Sequence, residues 1–139
     1  MKRTVNIHNR IIEEAKAGSK GDDYNMYTML QAWPKLFTDH STEQGGNVLG
    51  LDRFEENMFQ VLFDYAWKNE ADDALFNRLA NSALEELTAY SKSIAADNEF
   101  IYLNYANGTQ NPLFTYGSEN VEYIRAVAKK DDQTGVFQT

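Results

Sequence analysis

The sequence contains no cysteine and only two prolines, and it lacks both a basic tract and a long apolar run. Without cysteine there is no disulfide framework, no thiolate nucleophile and no thiolate metal site, and a reducing compartment is the natural setting. Thirteen Lys and Arg face 21 Asp and Glu, a formal charge of -8. The basic pairs Lys2-Arg3 and Lys129-Lys130 lie near the ends. That balance repels a polyphosphate backbone and an anionic membrane surface, so neither nucleic acid nor membrane is expected as a partner. No apolar run approaches the roughly 18 residues a bilayer span needs, and MKRTVNIHNR is too polar for a signal peptide. The expectation is a cytoplasmic protein.

What is present is enough for one core. A chain of 139 residues with 42% hydrophobic content fits a single domain over residues 1–139 that needs no metal or disulfide support. Ile7 (or His8), Ile11, Ile12 and Ala15 recur at helical spacing over residues 4–18, and GSKGDD stops the pattern. YNMYTMLQAW reads as a strand over 24–33, ended by Pro34. PKLFTDHSTEQGG reads as a loop or irregular strand, and NVLGL as a short strand.

The clearest periodicity lies in NMFQVLFDYAWKN, where Phe59, Val61, Phe63, Tyr65 and Trp67 share one face of a strand. Left in water, those side chains would each forgo about 1.5–3 kcal/mol. The cover follows directly in sequence. From Ala71 to Ile94, Leu75, Leu79, Ala83, Leu87, Tyr90 and Ile94 form the stripe of a long amphipathic helix, with Asn69 as its N-cap. FIYLNY reads as a further strand, Asn107-Gly108 as a turn, Ser118 as the N-cap of a last helix and GVFQ as a terminal strand. The fold class is α+β: an antiparallel sheet with helices packed on one face. The other face carries Gln, Asn, Tyr and Trp in place of charges, and is expected to line a small-molecule cavity.

The stretch PKLFTDHSTEQGGNVLGLD, the aromatic strand and long helix after it, YLNYAN, YGSENVEYIRAVAKK and GVFQ together resemble the C-terminal part of fungal FAD-linked oxidoreductases of the berberine-bridge-enzyme type. The resemblance runs through nearly the whole chain. It implies an antiparallel sheet roofing the substrate cavity over the flavin, with a Tyr-x-Asn-Tyr strand approaching flavin and substrate. Carried over, Tyr102, Asn104 and Tyr105 are the candidate catalytic residues. Gln31 and Trp33 are candidate substrate-binding residues, and Asp64, on the mixed face of its strand, joins them as a possible base.

The resemblance places the family's FAD-binding domain outside this sequence, and GGNVLG follows a loop where a dinucleotide fingerprint would follow a strand. No cofactor is therefore expected in this chain, FAD belonging to full-length relatives, and no metal. Packing competes with function at each position. On a flat strand Tyr102 and Tyr105 point to opposite faces, Asn104 needs partners wherever it is buried, and Trp33 fills core by default. His8 and His40 lack metal-ligand spacing. Two functions fit. One is a flavin-independent enzyme of fungal secondary metabolism, a cyclase, isomerase or proton-transfer catalyst that uses Tyr and Asn to polarise a carbonyl. The other is a non-catalytic fragment or split subunit completed by a separate FAD-binding chain. The first expects a homodimer that covers the exposed sheet, and the second expects the FAD-binding partner.

Overall fold

Thr4, Ile7, Ile11 and Ala15 all turn the same way on the first helix, α1 (Lys2–Gly18), and all four are buried. In the computed structural model, which describes residues 1–136, the chain divides into two compact units: Met1–Ala32 with Phe59–Asn98, and Trp33–Met58 with Glu99–Thr139.

Strands β1 (Tyr24–Trp33) and β2 (Met58–Trp67), which belong to the first unit except for Trp33 and Met58, form a two-stranded antiparallel sheet. The Lys68 N–H donates to the Asp23 carbonyl at 3.2 Å, pairing the start of one strand with the end of the other. Helix α3 (Asp73–Ser93) brings Phe76, Leu79 and Ala83 against Ile7, Ile11 and Ala15 of α1. Tyr24, Met26, Phe63, Tyr65 and Trp67 pack on that cluster from the sheet. The helices thus cover one face of the sheet, as the strand and helix periodicities require. Trp67 stacks on Phe76 with ring centroids 5.0 Å apart. Ala15 and Ala83, both fully buried, let the helices approach closely. Glu86 of α3 binds Arg3 and Arg10 of α1, each at 2.7 Å.

Two ends of this unit differ from expectation. Phe59 is 60% exposed, so the aromatic face of β2 is covered only from Phe63 onward. Asn69 does cap, but it caps a single turn of 3-10 helix, Glu70–Asp72, by accepting from the Ala71 N–H at 3.1 Å. The buried Asp72 carboxylate accepts from the Lys20 N–H at 2.9 Å, tying the loop after α1 to the head of α3.

The second unit departs further. Residues read as loop form helix α2 (Lys35–Glu43), with Pro34 at its N-cap and φ of -61°. A proline there loses nothing, because the first N–H groups of a helix have no internal acceptor. Gly45 and Gly46, at φ 102° and 78°, reverse the chain, and the Gly46 N–H returns to the Ser41 carbonyl at 2.7 Å. NVLGL forms no strand: Leu51–Arg53 is a 3-10 turn. FIYLNY is not a strand either, since Leu103–Tyr105 is a 3-10 turn followed by a longer one at Pro112–Tyr116. The cap of α4 (Ser118–Asp131) is Gly117, and Ser118 makes no side-chain cap. In the expected terminal strand GVFQ, Gly135 and Val136 are not extended pairing residues, while Phe137 and Gln138 lie outside the described residues.

Arg53 holds this unit together. Its Nε donates to the Gly50 carbonyl at 2.8 Å and one terminal nitrogen to the Thr115 carbonyl at 2.7 Å, while the other binds Glu99 at 2.8 Å. Gly50 sits at φ 67°, where a Cβ would fall 2.1 Å from the Tyr116 carbonyl oxygen, so only glycine fits. Among the described residues, no helix is long and apolar enough to cross a membrane.

Candidate functional site

The turn at Leu103–Tyr105 rearranges the predicted Tyr and Asn cluster. In a 3-10 turn residues i and i+3 eclipse, and the Tyr105 N–H donates to the Tyr102 carbonyl at 3.0 Å. The two tyrosines consequently share a side, their rings edge to face at 5.1 Å, where a flat strand would have sent them apart. Trp33 stands 5.9 Å from Tyr102 and 6.0 Å from Phe100, and Phe100 stacks on Tyr116 at 5.5 Å.

The polar atoms of this aromatic cluster have defined roles. Tyr116, 3% exposed, accepts the Leu103 N–H on its hydroxyl at 3.1 Å. Asn104 Nδ2 donates to the Tyr102 hydroxyl oxygen at 2.8 Å. That bond uses a lone pair of Tyr102 and leaves its proton to be donated onward, and an accepted hydrogen bond polarises the O–H. Tyr105 and Asn104 are exposed. The buried Trp33 indole N–H has no partner among the described residues. The arrangement therefore offers an aromatic wall with hydroxyl and amide donors, suited to holding a planar organic molecule by its rings and hydrogen-bonding its carbonyl oxygen.

Trp33, Tyr102, Asn104 and Tyr105 all belong to the second unit, and ring contacts or hydrogen bonds link them. Gln31 and Asp64 belong to the first, exposed on β1 and β2 respectively. Sequence reasoning missed Phe100 and Tyr116 as members of the cluster, although their aromatic character was the available signal. It also missed Gln60 Oε1 and the Tyr65 hydroxyl, both buried without a hydrogen-bond partner among the described residues. Burial pushes the Tyr65 phenol up to about 12, against the opposing charge of nearby Arg10. His8 Nδ1 meets the Thr28 hydroxyl at 2.8 Å, and burial lowers the imidazole below its ordinary value. His40 pairs with Glu43 on the surface of α2. A cleft of about 560 Å³ in the second unit is lined by Thr38, Ser41, Thr42, Asn47, Asp52 and Tyr123 among others, and by none of the predicted site residues.

Comparison with known proteins bears on what such a wall serves. Over 138 residues the chain is 48% identical to the FAD-dependent monooxygenase sdcF of Emericella nidulans, covering 99% of this chain and 29% of that protein. Most of the curated relatives it matches are fungal FAD-dependent monooxygenases, and an oligopeptidase of Diaporthe leptostromiformis also matches, at 28% identity over 106 residues. The chain is 39% identical over 135 residues to drtC of Aspergillus calidoustus, and 33% identical over 128 residues to FUP4 of Fusarium proliferatum. It spans 26% and 25% of their lengths respectively. No family model matches the chain. No solved structure matches it.

The GGNVLG stretch lacks the setting of a dinucleotide-binding turn. The flavin's diphosphate needs cations or a cradle of backbone N–H groups at a strand-to-helix turn. In the second unit Arg53 is taken up by Gly50, Thr115 and Glu99, and Lys35 by Asp39 and Glu55, while Arg125, Lys129 and Lys130 lie along α4. GGNVLG leads from the end of α2 into a 3-10 turn, with no strand before it and no long helix after it. Among the described residues, no group of three His, Asp or Glu side chains could hold a metal ion.

Proposed function

We propose that this chain is the substrate-shaping part of a berberine-bridge-type, FAD-linked oxidoreductase of fungal secondary metabolism, with the flavin held by protein that these 139 residues do not include. The observation that carries the reading is the Trp33–Tyr102–Asn104–Tyr105 cluster, in a chain 48% identical to 29% of an FAD-dependent monooxygenase. Trp33 and Tyr105 bracket an aromatic substrate. The Tyr102 hydroxyl, held by Asn104, donates to its carbonyl and stabilises negative charge that develops there. Orientation of this kind can contribute about 7–11 kcal/mol to barrier lowering when the reacting atoms are held in near-attack geometry.

A second reading assigns the same residues a flavin-independent cyclisation, isomerisation or proton transfer. What favours it is that the donor and its positioning amide lie two residues apart in one turn, so the charge-stabilising element is complete without other protein. The test is amide chemical-shift mapping of the chain with 4-hydroxyacetophenone, an aryl ketone. Shifts confined to Trp33 and residues 102–105, and lost in Tyr102→Phe, support the site. Shifts elsewhere, or none, sink it. Mass measurement of the chain with and without the rest of a relative then separates the two readings: stable association and flavin-dependent turnover belong to the first, and turnover by the chain alone to the second.

A further inference from the structure

The cleft of about 560 Å³ in the second unit falls within the roughly 300–1,000 Å³ of small-molecule sites, and it is separate from the aromatic cluster. Three segments build it. Helix α2 supplies Thr38, Ser41 and Thr42, the 3-10 turn at Leu51–Arg53 supplies Asp52, and the first two turns of α4 supply Asn120 and Tyr123. Gly45 and Gly46 also line it, and nothing stands within 4 Å of a Cβ added at either, so the loop that closes α2 leaves the space open. The hydrogen bonds within these walls decide what they present to a ligand. Thr38 Oγ1 donates to the Lys35 carbonyl at 2.7 Å and Thr42 Oγ1 to the Thr38 carbonyl at 3.0 Å. Each hydroxyl has thus given its proton to the helix and keeps lone pairs. Asn120 Nδ2 donates to the Tyr116 carbonyl at 2.9 Å, which fixes the amide and leaves Oδ1 as an acceptor. The exposed Asp52 carboxylate makes no hydrogen bond or ion pair among the described residues. Lys35, which feels its charge, is bound to Asp39 and Glu55.

We propose that this cleft is a second ligand site, and that it takes a small organic ammonium compound, a primary amine with a short apolar body. An ammonium carries three donors and no acceptor, the complement of walls whose hydroxyl protons are spent and whose amide and carboxylate oxygens are open. Asp52 is the one ionised side chain among the described lining residues, and it balances the positive charge. The Tyr123 side chain, 61% exposed, lines the same cleft, and an aromatic face attracts a cation. Val48 and Leu51 give the apolar body a surface to cover. The same inventory rejects the other ligand classes. No Lys or Arg stands among the described lining residues and the chain carries a charge of -8, so an anion meets only repulsion. One carboxylate is too few for a calcium ion, which takes six to eight oxygen ligands. The site stands independently of the function proposed above, because Trp33, Tyr102, Asn104 and Tyr105 take no part in it.

The test is an amide chemical-shift titration of the chain with benzylamine at neutral pH, where the amine is protonated. Salt at about 0.2 M screens diffuse attraction to the acidic surface, and benzyl alcohol serves as the neutral probe of the same shape. The expected result is a saturable shift at residues 41–48, 51–52 and 120–123 with a Kd on the order of 1 mM, and binding of the alcohol at least about fivefold weaker. Asp52→Asn, at an exposed side chain with no bond to lose, is expected to weaken benzylammonium about fivefold without changing the melting temperature. Tyr123→Leu should weaken it about threefold. Equal affinity for the alcohol overturns the ammonium assignment. Shifts scattered over the other carboxylates, or none that saturate by about 20 mM, overturn the site. Unchanged binding to a folded Asp52→Asn chain overturns the role of that carboxylate and the proposal with it.

Discussion

The rings of Tyr102 and Tyr105 meet edge to face at 5.1 Å because a 3-10 turn separates them by one full revolution of the chain. Asn104, between them, donates to the Tyr102 hydroxyl. Tyr102→Phe keeps the ring contacts and removes the acceptor of that bond together with the outward donor. The hydroxyl bond lies in an exposed turn, so the expected stability loss is below about 1 kcal/mol. Affinity for an aryl ketone should fall about tenfold, as one lost hydrogen bond in the bound state predicts. A titration followed by fluorescence, beside a urea melt, checks both.

Gly50→Ala is expected to destabilise the second unit by about 2 kcal/mol or more, because the new methyl meets the Tyr116 carbonyl oxygen at 2.1 Å and the backbone sits at φ 67°. Gly45→Ala serves as its control. It suffers only the positive φ, with nothing within 4 Å of the added Cβ, and should cost about 1 kcal/mol. Equal losses in urea unfolding would refute the steric account.

Phe76→Ala removes the ring that stacks on Trp67 and contacts Tyr24 at 5.1 Å. The residue is fully buried between α1, α3 and the sheet, so the expected loss is about 3–5 kcal/mol. Denaturant titration reads it directly, and a loss under 1 kcal/mol would mean that the α1–α3 core is not what holds this unit.

The Tyr65 hydroxyl is buried with no hydrogen-bond partner among the described residues, and desolvation raises its pKa to about 12. The folded state therefore holds the proton more tightly than the unfolded one, whose value is 10.0. Stability is full below pH 10 and declines between about pH 10 and 12 as the unfolded chain ionises first. Tyr65→Phe should flatten that alkaline decline and leave the protein equally stable or up to about 1 kcal/mol more stable at pH 7, since an unsatisfied hydroxyl leaves the interior. Thermal melts from pH 7 to 11 decide it.

His8 works in the opposite sense. Burial lowers its pKa in the folded state below 6.5, so the unfolded chain takes up a proton first as the solution is acidified. Stability should fall as pH drops below about 6.5 and level off once the folded imidazole is itself protonated. His8→Gln, which keeps a polar partner for Thr28, is expected to shallow that slope. An unchanged slope would assign acid sensitivity to other groups.

The parts legible in the sequence are those in which one periodicity dominates. The alternation of Phe63, Tyr65 and Trp67 located β2, and the spacing of Leu79 and Ala83 located α3, because each pattern faces one shared core. The second unit has no such pattern. FIYLNY has strand propensity, but backbone donors that a sheet would use are taken by side chains: the Ile101 N–H by Thr115 Oγ1 at 3.0 Å, and the Leu103 N–H by the Tyr116 hydroxyl at 3.1 Å. Those acceptors lie more than ten residues downstream, out of reach of any local reading. Helix α2 was obscured because Leu36 and Phe37 are exposed and only Thr38 is buried, so its apolar residues mark no core-facing stripe. Of the candidate site, Tyr102, Asn104 and Tyr105 were found as residue types, but their mutual arrangement depended on the turn.

The two units are interlaced along the chain, the first taking residues on both sides of Trp33–Met58 and the second on both sides of Phe59–Asn98. Synthesis thus delivers β1 long before β2, its one partner among the described residues, and the ribbon closes around an excursion of more than twenty residues instead of a tight turn. Closing so long a loop slows pairing. For that interval an uncharged, ten-residue strand stands exposed on the nascent chain, and this is the period in which chaperone capture, aggregation or early docking to a neighbouring strand compete for it.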